Sequence, residues 1–308
     1  MINPAGTVPL SISAYEQEIV SIVDNTRRSA QVQATVIIAS YRAERMLLAC
    51  LDALVRQQFA DDAWEIILVD NGGNEEVHDR LLEYPIRHLR LRRNLGCSPG
   101  KNIGALVAKG EIVCFIDDDA LADPGFVSAH VRAYQELPEI VGVRGKVLPK
   151  SPPNIYNGLA WHYDLGNAVI PAYIDTETNA SFRRQAFLAA SGFTSPVQRG
   201  DMEGVALSYR LARLCGDPAV LVYYPAAVIY HDYAASLSKL TRKSRAHLQA
   251  RRALSAEIGC SDVSLQDFIH SYHLPPGTIH TPRDAWSRLR LKMVREYLEF
   301  LTLFQRFL

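Results

Sequence analysis

Short apolar runs punctuate the first 120 residues at regular intervals: TVIIAS (35–40), EIILVD (65–70), IRHLRL (86–91) and EIVCFID (111–117). Each has the length and β-branched character of a buried strand. Between them, Met46, Leu47, Cys50, Leu51, Leu54 and Val55 recur at helical spacing within 43–58, and 75–83 fits a short helix. SPGKNIGALVAKG (98–110) reads as a helix with Ser98 as N-cap, Pro99 in the first turn and Gly110 past the end. Strands alternating with helices in this way predict a parallel sheet covered on both faces. Ligands of such sheets sit beyond the carboxyl ends of the strands. Ser40-Tyr41, Asp70-Asn71 and Asp117–Asp119 all fall at such ends, which predicts one shared site.

Downstream, the pattern predicts a helix over 124–137 and a strand over 140–148. Residues 150–173 are rich in Pro, Gly, Asn and aromatics without periodicity, as in a functional loop or lid. TNASFRR (178–184) predicts a strand feeding a helix at 184–191, and MEGVALSYRLARLCG (202–216) an amphipathic helix ended by Gly216. Residues 219–233 are β-rich, and 236–257 and 282–308 are helical in pattern. Residues 1–33 form an N-terminal extension with one short helix expected over 14–28.

Three adjacent carboxylates at the end of the fourth strand, Asp117, Asp118 and Asp119, repel one another unless a cation or donors offset the charge. The first and third point to one face of an extended chain. Such hard oxygen ligands suit Mg²⁺ or Mn²⁺ shared with substrate phosphates. A solvated acidic turn is the plainer alternative.

Composition narrows the classes. The chain has 308 residues, and its 33 basic and 33 acidic side chains balance. A nucleic-acid partner is therefore not expected. Five cysteines without paired spacing argue against a zinc site or disulfide framework and for a reducing cytosol. No apolar stretch approaches the ~20 residues of a membrane span, and the N-terminus does not read as a signal peptide. A cytoplasmic protein is expected, free or peripheral at the inner face of the membrane. The 282–308 tail mixes basic and apolar residues, so packing on the domain, homodimer formation and contact with an anionic membrane compete for it. The width of its apolar face favours the first two.

VIIASYRAERMLLACLDALVRQQ, EIILVDNGGNE and NLGCSPGKNIGALVAKGEIVCFIDDDA, in this order, resemble the N-terminal half of family 2 glycosyltransferases. NASFRRQAFLAASGF (179–193), GDMEGVALSYRLARLCG (200–216) and VIYH (228–231) resemble motifs of the second half. The resemblance implies an α/β fold of GT-A type, a Rossmann-like, mostly parallel sheet flanked by helices, with a helical C-terminal segment. It sets a catalytic domain at 34–250, with a nucleotide-sugar half at 34–120 and an acceptor half at 121–250, followed by 251–308. It implies an inverting, metal-dependent transfer of a sugar from a nucleotide donor, UDP before dTDP or GDP, to a hydroxyl or amine on a small-molecule, lipid-linked or glycan acceptor.

By the same resemblance, Asp119 and His231 are metal ligands and Asp117 contacts ribose or metal, with Asp118 the variable middle residue. Asp70 pairs with a uracil-type base or caps the Asn71-Gly72 turn. Ser40, Tyr41 and Arg42 flank the base, and Arg93, Asn94, Lys101 and Asn102 surround a bend facing the nucleotide. Lys239, Arg242, Lys243 and Arg245 clamp the diphosphate or form a solvated face. The catalytic base is expected from a Glu-Asp pair, but this chain reads Glu203-Gly204, with Ala206 and Thr194-Ser195 at other usually acidic positions. Glu203 or Asp201 is left to serve. A nucleotidyltransferase is disfavoured by ASYRAER, which lacks glycine after the first strand, and a non-catalytic subunit has only Gly204 in its support.

Overall fold

The computed structural model describes residues 10–26, 31–60, 63–150, 152, 154–194, 202–258, 265–280 and 284–304. In chain order the strands and helices are β1 (Ile19–Asp24), β2 (Ala34–Ser40), α1 (Glu44–Leu54), β3 (Trp64–Asp70), α2 (His78–Leu81), β4 (Ile86–Leu91), α3 (Cys97–Val107), β5 (Ile112–Ile116), β6 (Leu121–Ala122) and α4 (Phe126–Glu136). They continue with β7 (Gly142–Leu148), β8 (Ile170–Pro171), β9 (Asn179–Arg183), α5 (Arg184–Ala189), α6 (Glu203–Cys215), β10 (Leu221–Tyr230), α7 (Leu237–Ile258), α8 (Leu265–His270) and α9 (Ala285–Phe304).

One sheet runs in the order β1-β4-β3-β2-β5-β9-β7-β10-β6, with β8 beside β10. β4, β3, β2 and β5 are parallel, as are β7 and β10. β9 lies antiparallel between β5 and β7 and joins the two parallel sections. Alternate side chains feed two cores. Val36, Ile38, Ile66, Leu68, Cys114 and Ile116 face α1 and α4, while Ile37, Ile67, Val69, Val113 and Phe115 face α3, α5 and α6. This two-sided burial explains why the strands read as apolar runs rather than as alternating patterns.

Between the two sections a buried polar network fixes β9. His130 Nε2 lies 3.0 Å from Asn179 Oδ1, and His130 Nδ1 lies 2.8 Å from Ser181 Oγ. Asn179 donates to the carbonyls of Lys146 (2.8 Å) and Ala227 (3.0 Å), binding β9 to β7 and β10. On the other face, Arg210 of α6 donates to the carbonyls of Ala190 and Gly192 (2.8 and 2.6 Å), and Asn102 of α3 exchanges two bonds with Phe193.

Three expectations change. The extension forms no α-helix over its described residues within 14–28, only a single 3-10 turn. It turns at Glu16–Glu18 and then adds β1 to the sheet edge, antiparallel to β4. Ser98 is not an N-cap, because α3 begins one residue earlier, after Gly96. The expected boundary at 250 lies inside α7, where Ala250 and Leu254 are buried in the same core as Leu265, Phe268 and Tyr272.

The tail presents two apolar stripes. Leu291 is buried, and Arg295 donates to the carbonyl of Gly158 (2.9 Å), seating α9 on the turn at Ile155–Leu159. Trp286, Leu289, Met293 and Phe300 are exposed, so the apolar surface is not a single core face. No helix among the described residues is long and apolar enough to cross a membrane.

Candidate functional site

β2, β3 and β5 end side by side, and their last residues and following turns build one floor. Ser40 is fully buried, accepts a bond from Asn74 Nδ2 (3.3 Å) and bonds to Asp118. Asn74 also donates to Asp70 Oδ1 (2.8 Å), and Asn74 Oδ1 accepts from the N–H of Ala43 (3.1 Å). Asn74 thus stitches the ends of β2 and β3, and Ser40 carries the link on to Asp118 after β5.

Asp70 is 2% exposed. Its Oδ1 accepts from Asn74 and from the N–H of Gly72 (3.0 Å), and Oδ2 stands 3.5 Å from His88 Nε2. Burial pushes its carboxyl up, but His88, Asn74 and the Gly72 N–H outweigh burial and hold it below the usual range. In this geometry Asp70 organises the turn that follows β3. Tyr41 is exposed above that turn with the Arg42 guanidinium 5.0 Å from its ring centre. A Cβ at Gly73 would lie 2.8 Å from Arg42 Cγ and 3.4 Å from the Tyr41 ring, so glycine there allows the close approach. Asn94 is exposed and accepts from the N–H of Gly96 (2.8 Å), an Asx turn at the rim.

The three adjacent aspartates part ways. Asp117 and Asp119 converge with His231, the first residue after β10, and one ligand atom from each lies within 4.8 Å of the others. Asp118 turns back toward Ser40 and the N–H of Tyr41. Burial, together with the charges of Asp117 and Asp119, pushes its carboxyl up to about 6 despite those bonds. Burial also pushes Asp117 up, but the charges of Lys101 and His231 outweigh it, and its carboxyl sits below the usual range. Asp119 is likewise held low, burial being outweighed by His231 and Lys150.

Lys101 is 3% exposed, with Nζ 2.8 Å from Asp117 Oδ1. It is a buried counter-ion of Asp117 rather than a solvated surface lysine. Burial works against its charge, yet Asp117, Cys97 and Glu177 hold its ammonium above the usual lysine range. Lys150 Nζ donates to the main-chain oxygen of Asp119, a contact that no pattern in the Pro-rich 150–173 stretch announced. Two carboxylate oxygens and one imidazole nitrogen converging at a strand end fit a hard divalent ion of the Mg²⁺ or Mn²⁺ kind. His231 Nε2 lies 3.0 Å from Asp119 Oδ1, and its Nδ1 is buried without a hydrogen-bond partner.

Beside this cluster a cleft of about 1390 Å³ opens, lined by Asp119, Lys150, His231 and, from α7, Lys239, Arg242 and Lys243. Lys243 Nζ lies 4.2 Å from the ring centre of Tyr233. Glu203 begins α6 and accepts from Ser98 Oγ (3.2 Å). Met202, immediately before it, holds φ at +88°, a strained backbone at the helix start. Asp201, the other acid considered for the base, lies outside the described residues. Glu177 was not anticipated. Its Oε1 accepts from the N–H of Gly204 at 2.5 Å.

The sequence model of Glycosyl transferase family 2 matches residues 35–189, just over half of the chain. Among curated proteins, an uncharacterized glycosyltransferase of Bacillus subtilis is 31% identical over 114 residues, 36% of this chain and 29% of that protein. Glucosyl-dolichyl phosphate glucuronosyltransferase of Haloferax volcanii is 26% identical over 188 residues, 55% of this chain and 59% of that protein. The chain thus spans less than two thirds of these relatives. Among solved structures, S. aureus TarS 1–349 in complex with UDP-GlcNAc superposes with a TM-score of 0.57 at 14% identity, covering 79% of this chain and 72% of that one. Mannosyltransferase PcManGT from Pyrobaculum calidifontis, in complex with GDP-Man and Mn²⁺, gives 0.58 at 18% identity, covering 88% and 75%. The mixed sheet with its helices on both faces is the GT-A architecture of these neighbours, and the chain belongs to glycosyl transferase family 2.

Proposed function

We propose that this chain transfers a hexose-type sugar from a UDP-linked donor to an acceptor hydroxyl or amine, with inversion at the anomeric carbon, at the Asp117–Asp119–His231 cluster. The observation that carries this reading is the convergence of those three ligand atoms within 4.8 Å at the carboxyl end of β5. A divalent ion bound there supplies Lewis-acid stabilisation of the charge that builds on the β-phosphate of the leaving nucleotide.

The chain's own residues supply the rest. Asp117, Asp119 and His231 would hold the ion, and Lys101 keeps Asp117 ionised. Tyr41 and Gly73 shape the base pocket, with Asp70 and Asn74 fixing the turn beneath. Lys239, Arg242 and Lys243 face the cleft where a diphosphate leaves. The acceptor approaches from the α6 side, where the start of the helix presents Glu203. The neighbours' UDP-GlcNAc and GDP-Man complexes support a nucleotide-sugar donor.

The test is a thermal-shift screen of UDP-glucose, UDP-GlcNAc and GDP-mannose with and without Mn²⁺. A ligand that binds only the folded state raises its stability by mass action, about 2.7 kcal/mol at a hundredfold excess over Kd. A Mn²⁺-dependent rise with a UDP-sugar supports the proposal, and no rise with any of them opposes it.

A further inference from the structure

We propose that Glu177 is the carboxylate that takes the acceptor's proton in this chain, held at the start of α6 by the N–H of Gly204. The inference rests on the reading of this site as a glycosyl-transfer site. Glu177 stands two residues ahead of β9. Asn179 of β9 pairs with Ile116 of β5 in antiparallel register, and extending that register brings Glu177 level with Asp118. Its main-chain oxygen accepts from Lys101 Nζ at 3.4 Å, and the same ammonium is 2.8 Å from Asp117. The residue is therefore rooted one lysine away from the ion-binding carboxylates.

Its side chain crosses to the acceptor side. The N–H of Gly204, in the first turn of α6, donates to Oε1. A Cβ built at Gly204 would lie 2.7 Å from that oxygen and 2.6 Å from the carbonyl of Ile174. The absence of a side chain at 204 leaves the Glu177 carboxylate in direct contact with the first turn of α6. A second carboxylate thus stands beside Glu203 at the start of α6, delivered from the strand side. Glu203, the residue before Gly204, has its own Oε1 bonded to Ser98.

The step balances as follows. The acceptor oxygen forms a bond to the anomeric carbon as the bond from that carbon to the β-phosphate oxygen breaks. The electron pair of the broken bond stays on the leaving nucleoside diphosphate. The acceptor's hydroxyl proton passes to the carboxylate of Glu177.

The experiment measures UDP release from UDP-GlcNAc, and GDP release from GDP-mannose, with Mn²⁺ and water as acceptor. Glu177→Gln keeps an oxygen for the Gly204 N–H and so keeps the start of α6. It is expected to slow release at least about a hundredfold, within the ~10²–10⁴ range of general-base loss. UDP affinity by calorimetry and melting temperature should stay near wild type. In Glu177→Gly, which opens the space, added formate should restore release at least about tenfold, a recovery that a merely structural role would not show. Release by Glu177→Gln within about threefold of wild type, or the full loss falling on Glu203→Gln instead, overturns the assignment. Wild-type protein that neither binds UDP nor releases nucleotide with Mn²⁺ would overturn the transfer reading itself, a separate failure because nucleotide binding does not depend on Glu177.

Discussion

Lys101 Nζ and Asp117 Oδ1 form a 2.8 Å ion pair in which the lysine side chain is almost wholly buried and the aspartate one third exposed. The pair couples α3 to the end of β5. Removing the ammonium leaves a desolvated carboxylate without its nearest positive charge. Lys101→Met should cost about 2–3 kcal/mol of stability, below the ~3–5 kcal/mol of a fully buried pair because Asp117 reaches solvent. It should also weaken Mn²⁺ binding, since Asp117 would protonate more readily and shift its orientation. Denaturant unfolding together with Mn²⁺ calorimetry checks both. Unchanged stability would mean that the pair is dispensable.

Asp70 is engaged by Asn74 and Gly72 through one oxygen, so its proposed part in base recognition is to hold the turn. Asp70→Asn keeps an acceptor for both and should bind UDP within roughly threefold of wild type. Asp70→Ala removes it and should lose about 1–3 kcal/mol of UDP affinity, the usual cost of stranded buried donors. Direct pairing with uracil would instead make Asp70→Asn as harmful as Asp70→Ala.

Gly204 has no room for a side chain. Gly204→Ala would press a methyl to 2.6 Å from the Ile174 carbonyl and 2.7 Å from Glu177. Backbone on one side cannot yield cheaply, so a loss of about 1–3 kcal/mol is expected in thermal or chemical unfolding. A neutral substitution would show that the start of α6 adjusts freely.

His130 and His162 are both pushed down to about 4 by burial. Above pH 6.5 neither the folded nor the unfolded chain protonates them. Between pH 6.5 and 4 the unfolded chain takes up protons that the folded chain refuses, so stability falls with pH in that window. His130→Gln should lower proton uptake on unfolding near pH 5 by about one. A pH slope identical to wild type would place the acid sensitivity elsewhere.

The strands of the site were legible because they are buried on both faces. Ile37 and Ile38 serve opposite cores, and such runs signal a covered parallel sheet regardless of partner. The positions of Asp117, Asp119 and His231 were legible from local pattern and from the family resemblance. What was not legible depends on contacts across the chain. Whether Lys101 faces outward or pairs with Asp117 depends on how α3 leans on β5. Ser98 follows cap rules in sequence but spends its hydroxyl on Glu203, 105 residues away. Glu177 lies in a stretch with no periodic signal, and only the approach of α6 gives it meaning. In the tail, spacing showed an amphipathic helix but could not tell the packed stripe at Leu291 from the outward one at Trp286 and Phe300.

The most direct test of the central claim is nucleotide release from UDP-GlcNAc by wild type and Asp119→Asn, each with Mn²⁺ and with EDTA. The amide keeps the shape of the side chain and loses the charge that would bind the ion. Wild-type protein should turn over with Mn²⁺ and fall to background with EDTA, and Asp119→Asn should be slower by at least about a hundredfold while melting at the same temperature. Turnover by Asp119→Asn at the wild-type rate, or wild-type turnover indifferent to EDTA, would contradict a metal-dependent transfer centred on this cluster.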